Sequence, residues 1–182
     1  MMKYLQKLGK AIMLPVAVLP VAAIMMGIGY AMCPATMQGG DVTGIIQIIG
    51  FALVKIGSAV IDKLPMLFAV GVAIGLSKDQ HGAAGLAGLV AFLTVTTVLN
   101  SGVVATMMGA EEAPLAFTKI DNAFIGIISG ITASVCYNKF SSAQLPTALA
   151  FFSGKRCVPI VTSFVMVAES AILYFVWPML FN

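Results

Sequence analysis

The chain has 182 residues, 60% of them hydrophobic and only 9% charged, with a formal net charge of +3. A soluble domain carries roughly 25% charged residues, so a water-soluble fold is excluded and lipid is the implied solvent. The positive charge is small and dispersed, and it gives no footprint for a nucleic-acid partner.

Met1 to Lys10 places Lys3, Lys7 and Lys10 on a short helix with Tyr4, Leu5 and Leu8. Its positive face is expected to lie against cytoplasmic headgroups. Ala11 to Met32 is the first expected span. Pro15 and Pro20 should kink or break it, which membrane helices tolerate when neighbours satisfy the freed carbonyls. The same prolines argue against a cleaved signal peptide. Cys33 to Asp41, with Pro34, Gly39 and Gly40, reads as an exit loop.

Gly44 to Lys63 is apolar enough to span, yet Gln47, Lys55, Ser58 and Asp62 fall within about 80° of one another at 100° per residue. That stripe suits a helix in the interface or one packed on protein. The segment is read as mainly an external helix feeding a second span, Leu64 to Leu76. Ser77 to Gly82 is a tight turn and Ala83 to Leu99 the third span. Asn100 to Asp121 is an external loop, made acidic by Glu111, Glu112 and Asp121. Asn122 to Tyr137 is the fourth span. Val158 to Phe181 is the fifth, and its apolar length suffices to cross a core of about 30 Å.

Charge counting favours this five-span, all-α membrane architecture. It puts Lys3, Lys7, Lys10, Lys78, Lys139, Lys155 and Arg156 inside, seven of the ten cations, and Lys55, Lys63 and Lys119 outside. Two crossings between Gly44 and Leu76 would move Lys78, Lys139, Lys155 and Arg156 outside, against the positive-inside rule. The N-terminus is thus expected in the cytoplasm and the C-terminus outside. Cys33, Cys136 and Cys157 lack CxxC spacing and read as buried apolar thiols, so no metal or disulfide framework is expected. No cofactor is expected either. No segment recurs as an internal repeat.

Several separated stretches resemble one family. Leu145 to Ile160 (LPTALAFFSGKRCVPI) is similar to the signature of the membrane-embedded C domain of bacterial sugar phosphotransferase-system permeases, glucose and N-acetylglucosamine branch. Leu5 to Ala23 resembles the family's N-terminal signature, Leu67 to Gly88 its second and third spans, and Asn122 to Phe140 its fourth. Cys157 departs from the aromatic residue usual there. The resemblance implies a multi-pass protein of the bacterial inner membrane. It would take up a hexose-type sugar and release it phosphorylated, with phosphate arriving through domains A and B. Ser77 to Gly88 (SKDQHGAAGLAG) resembles the N-acetylglucosamine branch more than the glucose branch. The family's C domain is longer, and its sugar pocket and acidic GITE-type motif lie in a second half. No such motif occurs here, so the chain is expected to be the amino-terminal scaffold and dimer-contact half (residues 1–182), with its substrate-binding residues beyond Asn182 and no catalysis of its own.

Individual residues carry two readings each. Lys155 and Arg156 are either a cytoplasmic contact for the B domain or lipid phosphates, or a topology anchor alone. His81 reads as a solvated turn residue rather than a phosphate relay. Glu169, an acid near the middle of the fifth span, is a candidate intramembrane polar site or a buried structural polar group, with Ser163 and Ser170 as possible partners. The family pattern supplies no role for it. Gly71–Gly75 and Gly126–Gly130 are GxxxG pairs, extended by Ala84 and Gly88, and serve either a dimer face or packing within the chain. Two other classes stay open: a structural or regulatory membrane protein retaining only the dimerisation scaffold, and an unrelated small channel or secondary transporter.

Overall fold

The structure, a computed structural model, describes residues 2–181, without the side chains at 3, 148 and 149. The Lys3 side chain, expected on the positive face of the first helix, therefore lies outside the described residues. The described residues form helices and connecting turns, with no strand among them. In order these are α1 (Met2–Val16), α2 (Leu19–Met32), α3 (Ala35–Gln38), α4 (Ile45–Asp62), α5 (Leu64–Leu76), α6 (Gly82–Val98), α7 (Ser101–Met108), α8 (Leu115–Thr118), α9 (Ala123–Phe140) and α10 (Cys157–Phe181). Two 3-10 turns, Thr147–Phe152 and Gly154–Arg156, precede α10. The protein is an all-α membrane protein.

The prolines act as expected. Pro15 lies in the last turn of α1 and Pro20 in the first turn of α2, with the helical pattern interrupted at Ala17 and Val18. Pro20 lacks an N–H that a first turn leaves unpaired anyway.

By length and apolarity Tyr4–Met32, Ile45–Asp62, Ala123–Phe140 and Gly154–Phe181 can each cross a membrane, and α6 with α7, bent by 48°, makes a fifth candidate. Four helices qualify on their own and the bent pair would bring the number to the expected five, but one member differs. Leu64–Leu76 has 13 residues, about 20 Å at 1.5 Å per residue, which is short of a hydrocarbon core. Ile45–Asp62, read as mainly an external helix, has 18 residues and the apolarity of a crossing. Part of its polar stripe is satisfied locally: Gln47 accepts from the Thr43 N–H at 2.8 Å and Ser58 donates to the Lys55 carbonyl at 3.1 Å. A stripe with its own partners does not require water along its length.

The chain packs as two units. One is Met13–Leu64; the residues on either side of it form the other. Within Met13–Leu64, α2 and α4 run antiparallel at close range. A Cβ on Gly29 would sit 2.6 Å from the Gly50 carbonyl oxygen, and one on Gly57 2.7 Å from the Ala22 oxygen. Lipid offers apolar side chains nothing over burial, so backbone approach at small residues supplies the association.

In the larger unit α5 runs parallel to α9. A Cβ on Gly130 would come within 2.8 Å of the Ala69 carbonyl oxygen, and Asn138 donates to the Leu76 carbonyl at 3.1 Å. Helix α6 runs antiparallel to α5, with Gly88 against Ala69 and Gly85 against Ile74. Helix α10 packs on both α6 and α9. Phe92, Val95, Leu99, Ile125, Tyr137 and Met166 are buried among these helices. The GxxxG glycines thus serve packing within the chain: Gly126 and Gly130 face α5, and Gly75 meets Ala11 of α1.

The stretch Asn100 to Asp121, expected as a loop, contains α7 and α8. Asn100 Oδ1 caps α7 by accepting from the Gly102 N–H at 3.0 Å. Gly109, at φ +63°, closes the helix in a conformation that favours glycine. Val104, Phe117 and Ile120 are buried, while Glu111, Glu112 and Asp121 stay exposed. Apolar residues spaced to reach the bundle folded this segment back onto it.

Candidate functional site

One end of the larger unit gathers polar groups from four separate places in the chain. The α5–α6 turn brings Asp79, the end of α9 brings Tyr137 and Asn138, and the turn before α10 brings Lys155. Lys155 Nζ donates to Asp79 Oδ2 at 2.6 Å, and the Tyr137 hydroxyl donates to the same oxygen at 3.0 Å. Asn138 Oδ1 accepts from the Lys78 N–H at 2.8 Å. Lys7 of α1 donates to the Leu76 and Ser77 carbonyls, each at 3.1 Å. These contacts satisfy the carbonyls that the end of α5 leaves without helical partners.

The Lys155 ammonium, with the Tyr137 hydroxyl second, holds the Asp79 carboxyl down at about 2, and Asp79 in turn raises Lys155. The two side chains are 41% and 45% exposed, so water screens much of the pairing. Arg156 lies apart from this pair. Its guanidinium stacks 4.9 Å from the Phe151 ring centroid and donates to the Phe151 carbonyl at 3.3 Å. The two adjacent cations therefore do different things: Lys155 ties the turn to α5–α6, and Arg156 stays on its own loop. Gly154, at φ +69°, and its N–H bond to the Ala143 carbonyl at 2.8 Å aim that loop. The sequence reading missed Asp79 as the partner of Lys155. The available signal was that charge counting had put both on one side of the membrane.

His81 is exposed and is the N-cap of α6, its Nδ1 accepting from the Ala83 N–H at 3.1 Å. That matches a turn residue with a capping task. Cys33, Cys136 and Cys157 are free and buried.

A second polar group lies inside the seam between α9 and α10. Glu169 is half-buried, beside Thr132 of α9. Neither expected serine partner engages it: Ser163 donates to the Pro159 carbonyl at 2.9 Å and Ser170 to the Met166 carbonyl at 2.7 Å. The structure does not bring Glu169 together with Lys155 and Arg156, which lie in the turn before the same long helix. At the far end of α10 the Trp177 indole donates to the Ala116 carbonyl at 2.7 Å and stacks with Phe124. Tyr137 and Trp177 are thus fixed at opposite ends of the larger unit, as their positions in the sequence imply. Beside α7 a cavity of about 360 Å³ is lined by Ser101, Gly102, Glu111, Glu112 and Thr118. Its carboxylates place it at the acidic end.

The model of the family described as "Phosphotransferase system, EIIC" matches residues 9–182. Among curated proteins, the chain is similar to the PTS system N-acetylglucosamine-specific EIICB component of Bacillus subtilis (strain 168). The two are 39% identical over 178 residues, which is 98% of this chain and 33% of the relative. The chain therefore spans about a third of that relative's length.

Proposed function

Since the chain belongs to the phosphotransferase system EIIC family, we propose that it is the membrane component of a sugar permease that takes up N-acetylglucosamine, with glucose second, and releases the sugar phosphorylated in the cytoplasm. The carrying observation is the 39% identity, across 98% of the chain, to a relative whose name states that sugar. Competition in sugar uptake by the complete transporter tests the ranking. N-acetylglucosamine at saturation should abolish uptake of labelled sugar, and a failure to inhibit would sink the assignment.

The proposal gives residues 1–182 the scaffold role, with tight sugar binding and phosphate transfer requiring the rest of a complete system. The separation of Tyr137, Glu169 and Trp177 supports this, because they do not converge on a volume one sugar ring could fill. Titration calorimetry of the chain with N-acetylglucosamine and glucose is expected to give no heat of tight binding. Micromolar binding would move the sugar site into this half. Self-association belongs to the same proposal and would use outward faces, since the glycine faces at Gly126 and Gly130 are filled by α5. Crosslinking in membranes tests it.

The polar end is assigned to the cytoplasm, where Lys155 and Arg156 would meet the phosphoryl-carrying B domain or lipid phosphates. Lys7, Lys78, Lys139, Lys155 and Arg156 all fall on the side that positive-inside counting selects. Arg156 is the more available contact, because Lys155 is already paired. Cysteine-accessibility labelling at positions 79 and 115 should find 115 open and 79 closed to an impermeant reagent outside intact cells. Labelling of position 79 from outside would reverse the topology.

A further inference from the structure

Helix α10 is 25 residues long and contains one acid, Glu169. A carboxylate at that depth is costly unless it is paired or hydrated. The elements packed against α10 are α6, α8, α9 and the Gly154–Arg156 turn. Helices α6 and α8 carry no titratable side chain. Helix α9 carries Cys136, Tyr137 and Lys139. Tyr137 is committed to Asp79, and the Lys139 ammonium lies over the Phe140 ring, 5.6 Å from its centroid. The turn carries Lys155, paired with Asp79, and Arg156, on Phe151. Helix α10 itself adds Cys157 and Tyr174. No cation among the described residues pairs with Glu169; the one ion pair they form is Lys155–Asp79.

What lies beside Glu169 is the Thr132 hydroxyl, and further polar groups follow along the same two helices. At 100° per residue Ser129, Thr132 and Cys136 fall within about 60° on α9, and Thr162, Met166 and Glu169 within about 60° on α10. Thr132 lies beside Glu169, and Thr162 beside Cys136. Ser129 Oγ and Thr162 Oγ1 are buried with no hydrogen-bond partner, the residues being 1% and 0% exposed. Buried orphan hydroxyls mark positions for ordered water. With α9 and α10 antiparallel, these two lie on either side of the Glu169–Thr132 level.

We infer that Glu169, with Thr132, forms a proton-binding site in the α9–α10 seam, and that the neutral carboxylic acid is its resting form. The acid O–H donates a hydrogen bond to a hydroxyl or a water in the seam and keeps its proton. Release of that proton leaves a carboxylate that the seam must hydrate through the Ser129 and Thr162 positions. The site is independent of the sugar assignment.

Infrared spectroscopy of the full-length protein in lipid vesicles at pH 7 tests this. A protonated-carboxyl C=O band is expected, lost in Glu169→Gln and retained in Asp79→Asn. Glu169→Gln keeps the shape of the neutral acid, so its folding can be verified by circular dichroism alongside. A hydrophobic carbodiimide, which adds to a protonated carboxyl in an apolar site, should label the wild type and lose that label in Glu169→Gln. Sodium or potassium chloride at fixed pH should leave labelling unchanged. Absence of the band at pH 7, its survival in Glu169→Gln, or protection of the label by either cation would each overturn the proposal.

Discussion

The two sides of α9 are built on opposite plans. Toward α5 it presents Gly126 and Gly130, and the neighbouring backbone fills the space a side chain would need. Toward α10 it presents Ser129, Thr132 and Cys136, and two hydroxyls of that seam have no partner. In lipid, close backbone approach is what makes helices associate. The glycine side is therefore the structural joint of the larger unit. The hydroxyl side is also buried, but it keeps unpartnered polar atoms on the helices that carry Glu169, which is where the proton-binding proposal puts its site.

The sharpest way to break this contrast is to overfill each side in turn. Gly130→Leu drives a side chain into the Ala69 carbonyl and Val72, and overpacking of this kind is expected to cost about 3 kcal/mol. Thermal unfolding in detergent should show a large drop for Gly130→Leu and a small one for Thr132→Val. Equal losses would show that the two sides are not different in kind.

A smaller effect is expected at the far end of α10. Trp177→Phe keeps most of the ring but leaves the Ala116 carbonyl without its donor. An unpaired buried carbonyl costs about 1–2 kcal/mol. Hydrogen exchange should report lost protection in α8 with α9 unchanged. Equal protection in both proteins would mean that α8 is held by Phe117 and Ile120 alone.

The smallest effect belongs to the polar end, because its ion pair is half in water. The Asp79 carboxyl is depressed to about 2 in the folded chain. Its contribution is therefore complete above the ordinary carboxylate value and is lost as pH falls toward 2. Lys155 is raised, so its contribution is complete below the ordinary lysine value and lost as pH rises through the raised one. Lys155→Met should flatten the acid limb of the stability profile and leave the neutral region nearly unchanged. An acid limb identical to wild type would mean that other carboxylates govern it.

Much of the fold is legible from the sequence, for specific reasons. Pro15 and Pro20 break the first span because proline acts through covalent geometry, which needs no tertiary context. Lys7, Lys78 and Lys155 come together at one end of the larger unit, and charge counting along the chain had already grouped them. What is not legible depends on pairing at a distance. The stripe on α4 reads as the mark of an interfacial or protein-packed helix until Gln47 and Ser58 are seen to have partners within their own segment. The Asn100–Asp121 stretch reads as loop because its helices are too short to show a period and are held by Phe117 and Ile120 against the bundle. Lys155 and Arg156 read as one basic motif, yet they separate because, after the turn at Gly154, Asp79 is within reach of Lys155 while Arg156 folds onto Phe151. Glu169 is conspicuous from sequence alone, while its hydroxyl neighbours on α9 are not, since nothing in the chain order of Ser129 and Thr132 says that α10 will return beside them.

The contact between Asp79 and Lys155 also sets a clock. The two residues are 76 positions apart. At a synthesis rate of about 5–20 residues per second, Asp79 emerges roughly 4–15 s before its partner exists. During that interval Asp79 has no Lys155 to pair with. The Tyr137 hydroxyl arrives before Lys155 does, so α9 can dock first with a provisional bond. The arrival of Lys155 then ties the turn before α10 to a turn made several helices earlier, a half-hydrated pair that adds to the packing of α10 on α6 and α9.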